Sequence, residues 1–232
     1  MVPFRLVLVR PQFGGNLGAC ARVAANFNLT DNVMVSSFCS IHDSEAKRYA
    51  TNEARAFLDN FKSVSDLGVA LNDCHISVGF TCRDGLLRNP TIELGELAAL
   101  SLGGKKVALV FGNEKVGLDS DELSRCTQVC HIPTASIHES LNLSHAVAVV
   151  VARIYEDCQK FSQQGSIANS ISENEIPTLQ KFEQSLATWK EILGGDDDPK
   201  RVFLQFKRFL GRTQLDQNEL ELFELIFKKI KA

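Results

Sequence analysis

Apolar residues fall into two rhythms along this chain. Some short runs, such as Leu6-Val7-Leu8-Val9 and Val107–Phe111, are apolar at every position. Runs of that kind read as strands covered on both faces, as in a parallel sheet. Other stretches repeat apolar residues every three or four positions and read as helices. The pattern predicts strands over 5–10, 32–37, 75–80, 106–111 and 129–133, and helices over 16–28, 44–58, 64–71 and 141–161. In the first helix Leu17, Cys20, Ala21, Ala24 and Phe27 share a stripe, and Asp119 with Glu122 has capping-box spacing for a further helix start. Positions 146–152 are apolar on all sides, too much for a helix with one solvated face. That helix is either deeply buried or shared with a second copy, and a homodimer is expected. The fold class is α/β with a mostly parallel sheet.

Beyond residue 161 the rhythm changes. Residues 162–177 are rich in turn formers and read as a linker. Leu179, Phe182, Leu186, Trp189 and Leu193 then give a helical pattern, residues 194–199 break it, and two more helices follow over 201–210 and 217–231. The organisation expected is one α/β domain over 1–161 and a helical extension over 178–232.

Composition narrows the class. The chain has 232 residues, of which 44% are apolar and 23% charged, as in soluble globular proteins. No apolar run is long enough to span a bilayer and no signal-peptide pattern opens the chain, so a cytoplasmic location is the default. The seven cysteines are scattered, as expected of reduced thiols. Cys126, Cys130 and His131 fit no common zinc spacing, and no metal is expected. A net charge of −3 argues against a globally basic nucleic-acid binder. Even so, Lys200, Arg201, Lys207, Arg208 and Arg212 form a local basic run, and Arg83, Arg88, Lys105 and Lys106 are further candidates for phosphate contact.

The candidate chemistry lies in three turns, each at a strand end and each followed by a helix-like stretch. They contain Gly14-Gly15-Asn16-Leu17-Gly18, Gly112-Asn113-Glu114 and Ser140-Leu141-Asn142. Open α/β sheets place ligands at such strand ends, so three of them predict one composite site. Glycines permit close backbone approach and a helix start can hold an anion. The first turn has neither the lysine of a P-loop nor G-x-G-x-x-G spacing, and the second strand lacks an acidic end. Both facts argue against a Rossmann-type oxidoreductase. Arg22 lies on the helix face opposite Cys20, Ala24 and Phe27, as either a solvated surface arginine or a cation aimed at phosphate.

Pro11-x-x-x-Gly15-Asn16-x-Gly18-Ala19-x-x-Arg22-x-x-x-Asn26-Phe27 resembles the first motif of the SpoU (TrmH-type) RNA 2′-O-ribose methyltransferases of the SPOUT superfamily. Phe111-Gly112-Asn113-Glu114-x-x-Gly117-Leu118 looks like their second motif, and Ile132-Pro133 followed by Ser140-Leu141-Asn142-Leu143-Ser144-x-Ala146-Val147 like their third. All three occur in the family's order. The tail, with Leu215-Asp216-x-x-Glu219-Leu220-x-Leu222, resembles more loosely the C-terminal segment of the TrmJ branch, which methylates the ribose of tRNA anticodon-loop nucleotide thirty-two.

The resemblance implies S-adenosylmethionine as methyl donor, an obligate homodimer and a trefoil knot in the α/β domain. It implies a cofactor held by Phe80, Thr81, Cys82, Gly112, Asn113, Gly117, Ile132, Ser140, Leu141 and Asn142. Arg22 matches the family's catalytic arginine. Asn16 would support the first turn or contact the ribose, and Ser140 and Asn142 would orient cofactor and substrate. Glu114 is either a carboxylate stabilising its own turn or a site residue positioning Arg22 or the cofactor loop. The substrate implied is tRNA, with ribosomal RNA as an alternative. A catalytically inactive RNA-binding relative is a third reading, which the presence of Arg22, Asn142 and the second-motif glycines disfavours.

Overall fold

In the computed structural model, the six residues of Phe4–Val9 form β1 with every position buried. The structure describes residues 4–85, 88–135 and 137–163, then 177–181, 184–185, 189, 206, 208–209, 213 and 216–231. Five more strands follow: β2 (Asp31–Val35), β3 (Lys62–Val64), β4 (Ile76–Phe80), β5 (Val107–Phe111) and β6 (Gln128–Cys130). They form one sheet in the order β3-β2-β1-β5-β4-β6, with every neighbouring pair parallel.

Successive side chains of a strand point to opposite faces, which explains why the buried runs are apolar throughout. Leu6, Leu8, Val107, Leu109 and Phe111 pack into one core with helices α1 (Gly14–Asn26), α2 (Ser44–Ala50) and α6 (Leu143–Gln163) and a 3-10 segment over Leu94–Gly104. Val7, Val9, Ala108 and Val110 face the other layer, built from α4 (Leu67–Leu71) and α5 (Ser120–Ser124). Each large apolar side chain taken from water contributes about 1.5–3 kcal/mol, so the two cores supply most of the favourable term.

Several sequence expectations change. The single helix expected over 44–58 is two, α2 and α3 (Arg55–Asp59), because Thr51 takes a left-handed backbone with φ 62°. The helix expected over 64–71 is present as α4 but starts later, at Leu67, because Val64 ends the edge strand β3 and the Asp66 side chain caps the helix by accepting from the Gly68 amide. Within 146–152, Val147, Val150 and Val151 are buried, whereas Val149 is 42% exposed and Ala152 is exposed. Helix α6 therefore has one buried face, and Val149, Ala152 and Tyr155 stand toward solvent among His145, Arg153 and Glu156.

Most of the expected linker and of the helices at 178–193 and 201–210 lies outside the described residues. Leu179 is buried in the second core and its amide donates to the Cys74 carbonyl. Helix α7 (Gln217–Lys231) opens with a reciprocal Asp216–Glu219 cap. Its Phe227 stacks on the buried Trp189 at 4.8 Å. Among the described residues, no helix is long and apolar enough to cross a membrane.

Candidate active site

Strand pairing brings the three turns together. β1 lies beside β5 with Leu8 opposite Phe111, so the residues after each strand emerge side by side. β4 pairs with β6, Phe80 opposite Cys130, which brings residues 131–142 to the same carboxyl edge. A cleft opens there, lined by Phe80, Thr81, Cys82, Arg83, Phe111 to Gly117 except Val116, Ile132, Glu139, Ser140, Leu141, Leu143 and Ala146. Its floor is apolar: the Phe80 and Phe111 rings stack at 4.4 Å and are nearly parallel. Glu114 and Glu139 bring carboxylates to the lining, and Arg83 and Lys115 bring cations.

Beside the cleft, one hydrogen-bonded chain runs through all three turns. Asn142 donates from Nδ2 to Asn16 Oδ1 at 2.9 Å, and Asn16 donates from Nδ2 to Glu114 Oε1 at 3.0 Å. The Glu114 carboxylate also accepts from the amides of Gln12 (2.9 Å) and Phe13 (3.2 Å). Those amides lie at the start of α1, where a negative charge is favoured by the helix dipole. Helix α1 has no cap from its own N-cap side chain, so Glu114 serves that end from another strand. Asn142 Oδ1 accepts from the Ser144 amide and hydroxyl and so caps α6. Each amide in the chain is thereby fixed in orientation.

Three residues set the second turn. Asn113 is buried; its Oδ1 accepts from the Lys115 amide and its Nδ2 donates to the Arg10 carbonyl at 2.8 Å. Gly112 has no room for a side chain, since a Cβ there would lie 2.2 Å from the backbone of Gly117 and Leu118. Gly117 itself has φ +65°, a conformation open to glycine.

The structure separates the expected site residues into two groups. Phe80, Thr81, Cys82, Gly112, Asn113, Glu114, Gly117, Ile132, Ser140 and Leu141 all line the cleft. Asn16 and Asn142 reach its edge through their bonds to each other and to Glu114. Arg22 stands apart: it is exposed, it does not line the cleft, and its charge acts on Glu53. Glu114 is bonded to the first turn, not to Arg22. Of the expected phosphate contacts, Arg88 is committed to Thr81 Oγ1 and the Leu118 carbonyl. Lys106 is paired with Asp31 (2.8 Å) and Asp73 (2.7 Å) at the start of β5, away from the cleft.

Arg10 is the supporting residue that the sequence pattern missed. It directly follows β1 with φ 53°, a left-handed backbone that non-glycine residues rarely adopt. Its guanidinium is forked on Glu122 at 2.6 and 2.7 Å and reaches the Gly117 carbonyl. The hydrogen bonds it donates to Glu122 hold its proton more firmly than usual. The available signals were a charge closing a buried strand and the Glu122 of the cap, too far apart in sequence to connect.

Known proteins share this sequence pattern and this fold. The sequence model of the SpoU rRNA Methylase family matches residues 3–152. An uncharacterized tRNA/rRNA methyltransferase of Haemophilus influenzae is 30% identical over 226 residues, covering 94% of this chain and 90% of its own. The tRNA (cytidine-2′-O-)-methyltransferase TrmJ of Methanocaldococcus jannaschii is 28% identical over 235 residues, covering 99% of this chain and 91% of its own. Among solved structures, TrmJ from Z. mobilis superposes with a TM-score of 0.77 at 20% identity, over 98% of this chain and 99% of that one. AviRb from Streptomyces viridochromogenes, solved in complex with the cofactor AdoMet, superposes with a TM-score of 0.55 at 17% identity, over 68% of this chain and 57% of that one.

Proposed function

This chain belongs to the SpoU rRNA Methylase family, and from that premise we propose that it transfers a methyl group from S-adenosylmethionine to a ribose 2′-hydroxyl of tRNA, with anticodon-loop nucleotide thirty-two as the target. The observation that carries the reading is the Glu114–Asn16–Asn142 chain, which joins the three motifs at the rim of one cleft. The choice of tRNA is supported by the 28% identical TrmJ relative, whose match extends past the family's segment to 99% of this chain.

The cleft fits the proposed methyl donor by its chemistry. The flat apolar floor of Phe80 and Phe111 and the side wall of Ile132, Leu141 and Leu143 suit an adenosine group. The Glu114 and Glu139 carboxylates complement a sulfonium charge. Bound there, S-adenosylmethionine supplies an electrophilic methyl group. The protein's part is then to hold the ribose oxygen in line with that methyl and to exclude other approaches. Asn16 and Asn142, locked by their mutual bond, form the edge against which the ribose is held.

A guanidinium offers five N–H donors and no acceptor, so the role of Arg22 in this reading is to anchor the target phosphate and stabilise the developing alkoxide, with that phosphate taking part in proton removal. Because Arg22 lies outside its own chain's cleft, the reading places it at the cleft of a second copy. The homodimer is supported by the apolar side chains that α6 exposes, Val149 and Tyr155 being 42% and 41% exposed. The trefoil knot belongs to the same proposal. It is supported by α6 following the edge strand β6 yet packing with α1, while residues 139–143 share the cleft with 112–117.

Tritiated methyl transfer from S-adenosylmethionine to bulk tRNA and to ribosomal RNA, with wild type and Arg22→Ala, tests this reading. Label in tRNA that vanishes with the variant is expected, and nuclease mapping then gives the nucleotide. Label in ribosomal RNA alone would keep the reaction and replace the substrate. No label in either RNA would leave a binding protein instead of an enzyme.

A further inference from the structure

Three aromatic rings stand out of the surface around the first motif. Phe13 is 44% exposed, Tyr49 is 49% exposed and Phe38 is 71% exposed. All three are tied to one short segment, 11–15. Phe13 sits between Gln12 and Gly14 with its amide held by Glu114. The Phe38 amide donates to the Pro11 carbonyl, and the Tyr49 ring lies against Gly15, where an added Cβ would approach it to 3.3 Å. Exposed rings held on a pinned backbone expose apolar surface in a fixed place, which calls for a partner.

Cations accompany the rings. The Lys115 ammonium lies 5.7 Å from the centre of the Phe13 ring, and Arg48 lies 5.7 Å from the centre of the Tyr49 ring. Phe13 is outside the lining of the cofactor cleft, although its neighbours Glu114 and Lys115 are part of that lining. A ligand of the ring is therefore a second molecule and not the contents of the cleft.

We infer that Phe13, backed by Lys115, is a stacking platform for an unpaired base of the RNA substrate, with Phe38 receiving a neighbouring base. The inference rests on the methyltransferase reading above and adds the residue that holds the target's base. The geometry follows from ribose chemistry, because the base is attached to the carbon next to the one bearing the 2′-hydroxyl. Asn16 sits at the hydroxyl edge, and its amide donates to the Phe13 carbonyl. A ribose held at Asn16 consequently carries its base toward the adjacent ring. Stacking on an aromatic face with a cation nearby is how unpaired bases are commonly held, and it tolerates different bases.

The test uses the full chain with unmodified tRNA and with an anticodon-arm RNA carrying pyrrolocytidine, a fluorescent base quenched by stacking, at the nucleotide to be methylated. Phe13→Ala is expected to raise KM for tRNA about tenfold and to abolish quenching, while KM for S-adenosylmethionine stays unchanged. Phe13→Trp keeps an aromatic face and is expected to restore both readouts. Equal KM for tRNA and equal quenching in wild type and Phe13→Ala would overturn the platform. A sedimentation change in Phe13→Ala would also overturn it, because the ring would then belong to a contact between copies. Quenching by wild type that Phe13→Ala loses, with no methyl transfer to tRNA, would support the platform while removing the proposed activity.

Discussion

Glu114 ties the first turn to the second through a single side chain. Its two oxygens accept from two main-chain amides and one side-chain amide, so truncation leaves three donors without that partner. Glu114→Ala is expected to cost about 1–3 kcal/mol in denaturant unfolding and to lower methyl transfer at least about tenfold. Glu114→Gln should fall between, since one acceptor oxygen remains but its new NH2 faces the amides. Arg10 works through the second turn instead. Removing its fork onto Glu122 while keeping the left-handed backbone retains a strain of about 1–3 kcal/mol without the bonds that offset it. Arg10→Ala is therefore expected to raise KM for S-adenosylmethionine several-fold, with RNA affinity little changed. Calorimetric titration of each ligand separates the two.

At the scale of elements, the glycines of the motifs do different work. Gly18 lets α1 lie against α2, where an added Cβ would sit 2.1 Å from the Ala46 carbonyl oxygen. Gly112 lets the second turn fold back on itself. Gly112→Ala should abolish cofactor binding in calorimetry, whereas Gly117→Ala, with open space around its Cβ, should cost only about 1–2 kcal/mol of backbone strain. Buried strands and the stripe of α1 could be read from sequence because burial on both faces leaves an uninterrupted apolar run. Edge strand β3 could not, since its Lys62 and Ser63 are exposed and its three residues carry no rhythm. Nor could the true start of α1, at Gly14, because its cap is Glu114, supplied by a turn far along the chain. The motif residues were legible as turns. Their joining into one hydrogen-bonded chain depends on the β1–β5 pairing, which local pattern does not reveal.

The whole molecule divides into two ends of one sheet. Opposite the cleft, Arg5 and Lys106 bind Asp31 and Asp73 in a four-membered network at the strand starts. Burial works against the charge of Asp73, but hydrogen bonds from Arg5 and Lys106 outweigh it and hold its pKa at about 2. A carboxyl held below its unfolded value stabilises the fold fully above about pH 4 and loses that contribution as pH falls toward 2. Asp73→Asn should lower the melting temperature at neutral pH and flatten its fall in that acid window. Solvent screening keeps the effect modest, since the Asp73 side chain is 52% exposed. At the cleft end, Arg22 separates two arrangements of the whole. If it serves the cleft of a second copy, then Arg22→Ala and Gly112→Ala chains are each inactive alone, but refolded together they form mixed dimers with one complete site. Such a mixture should recover roughly a quarter of wild-type activity, because half the dimers are mixed and half of their sites are whole. If Arg22 instead serves its own chain, every mixed dimer carries a defect in each site. The mixture would then stay as inactive as its parts, and the composite dimer site would have to be abandoned.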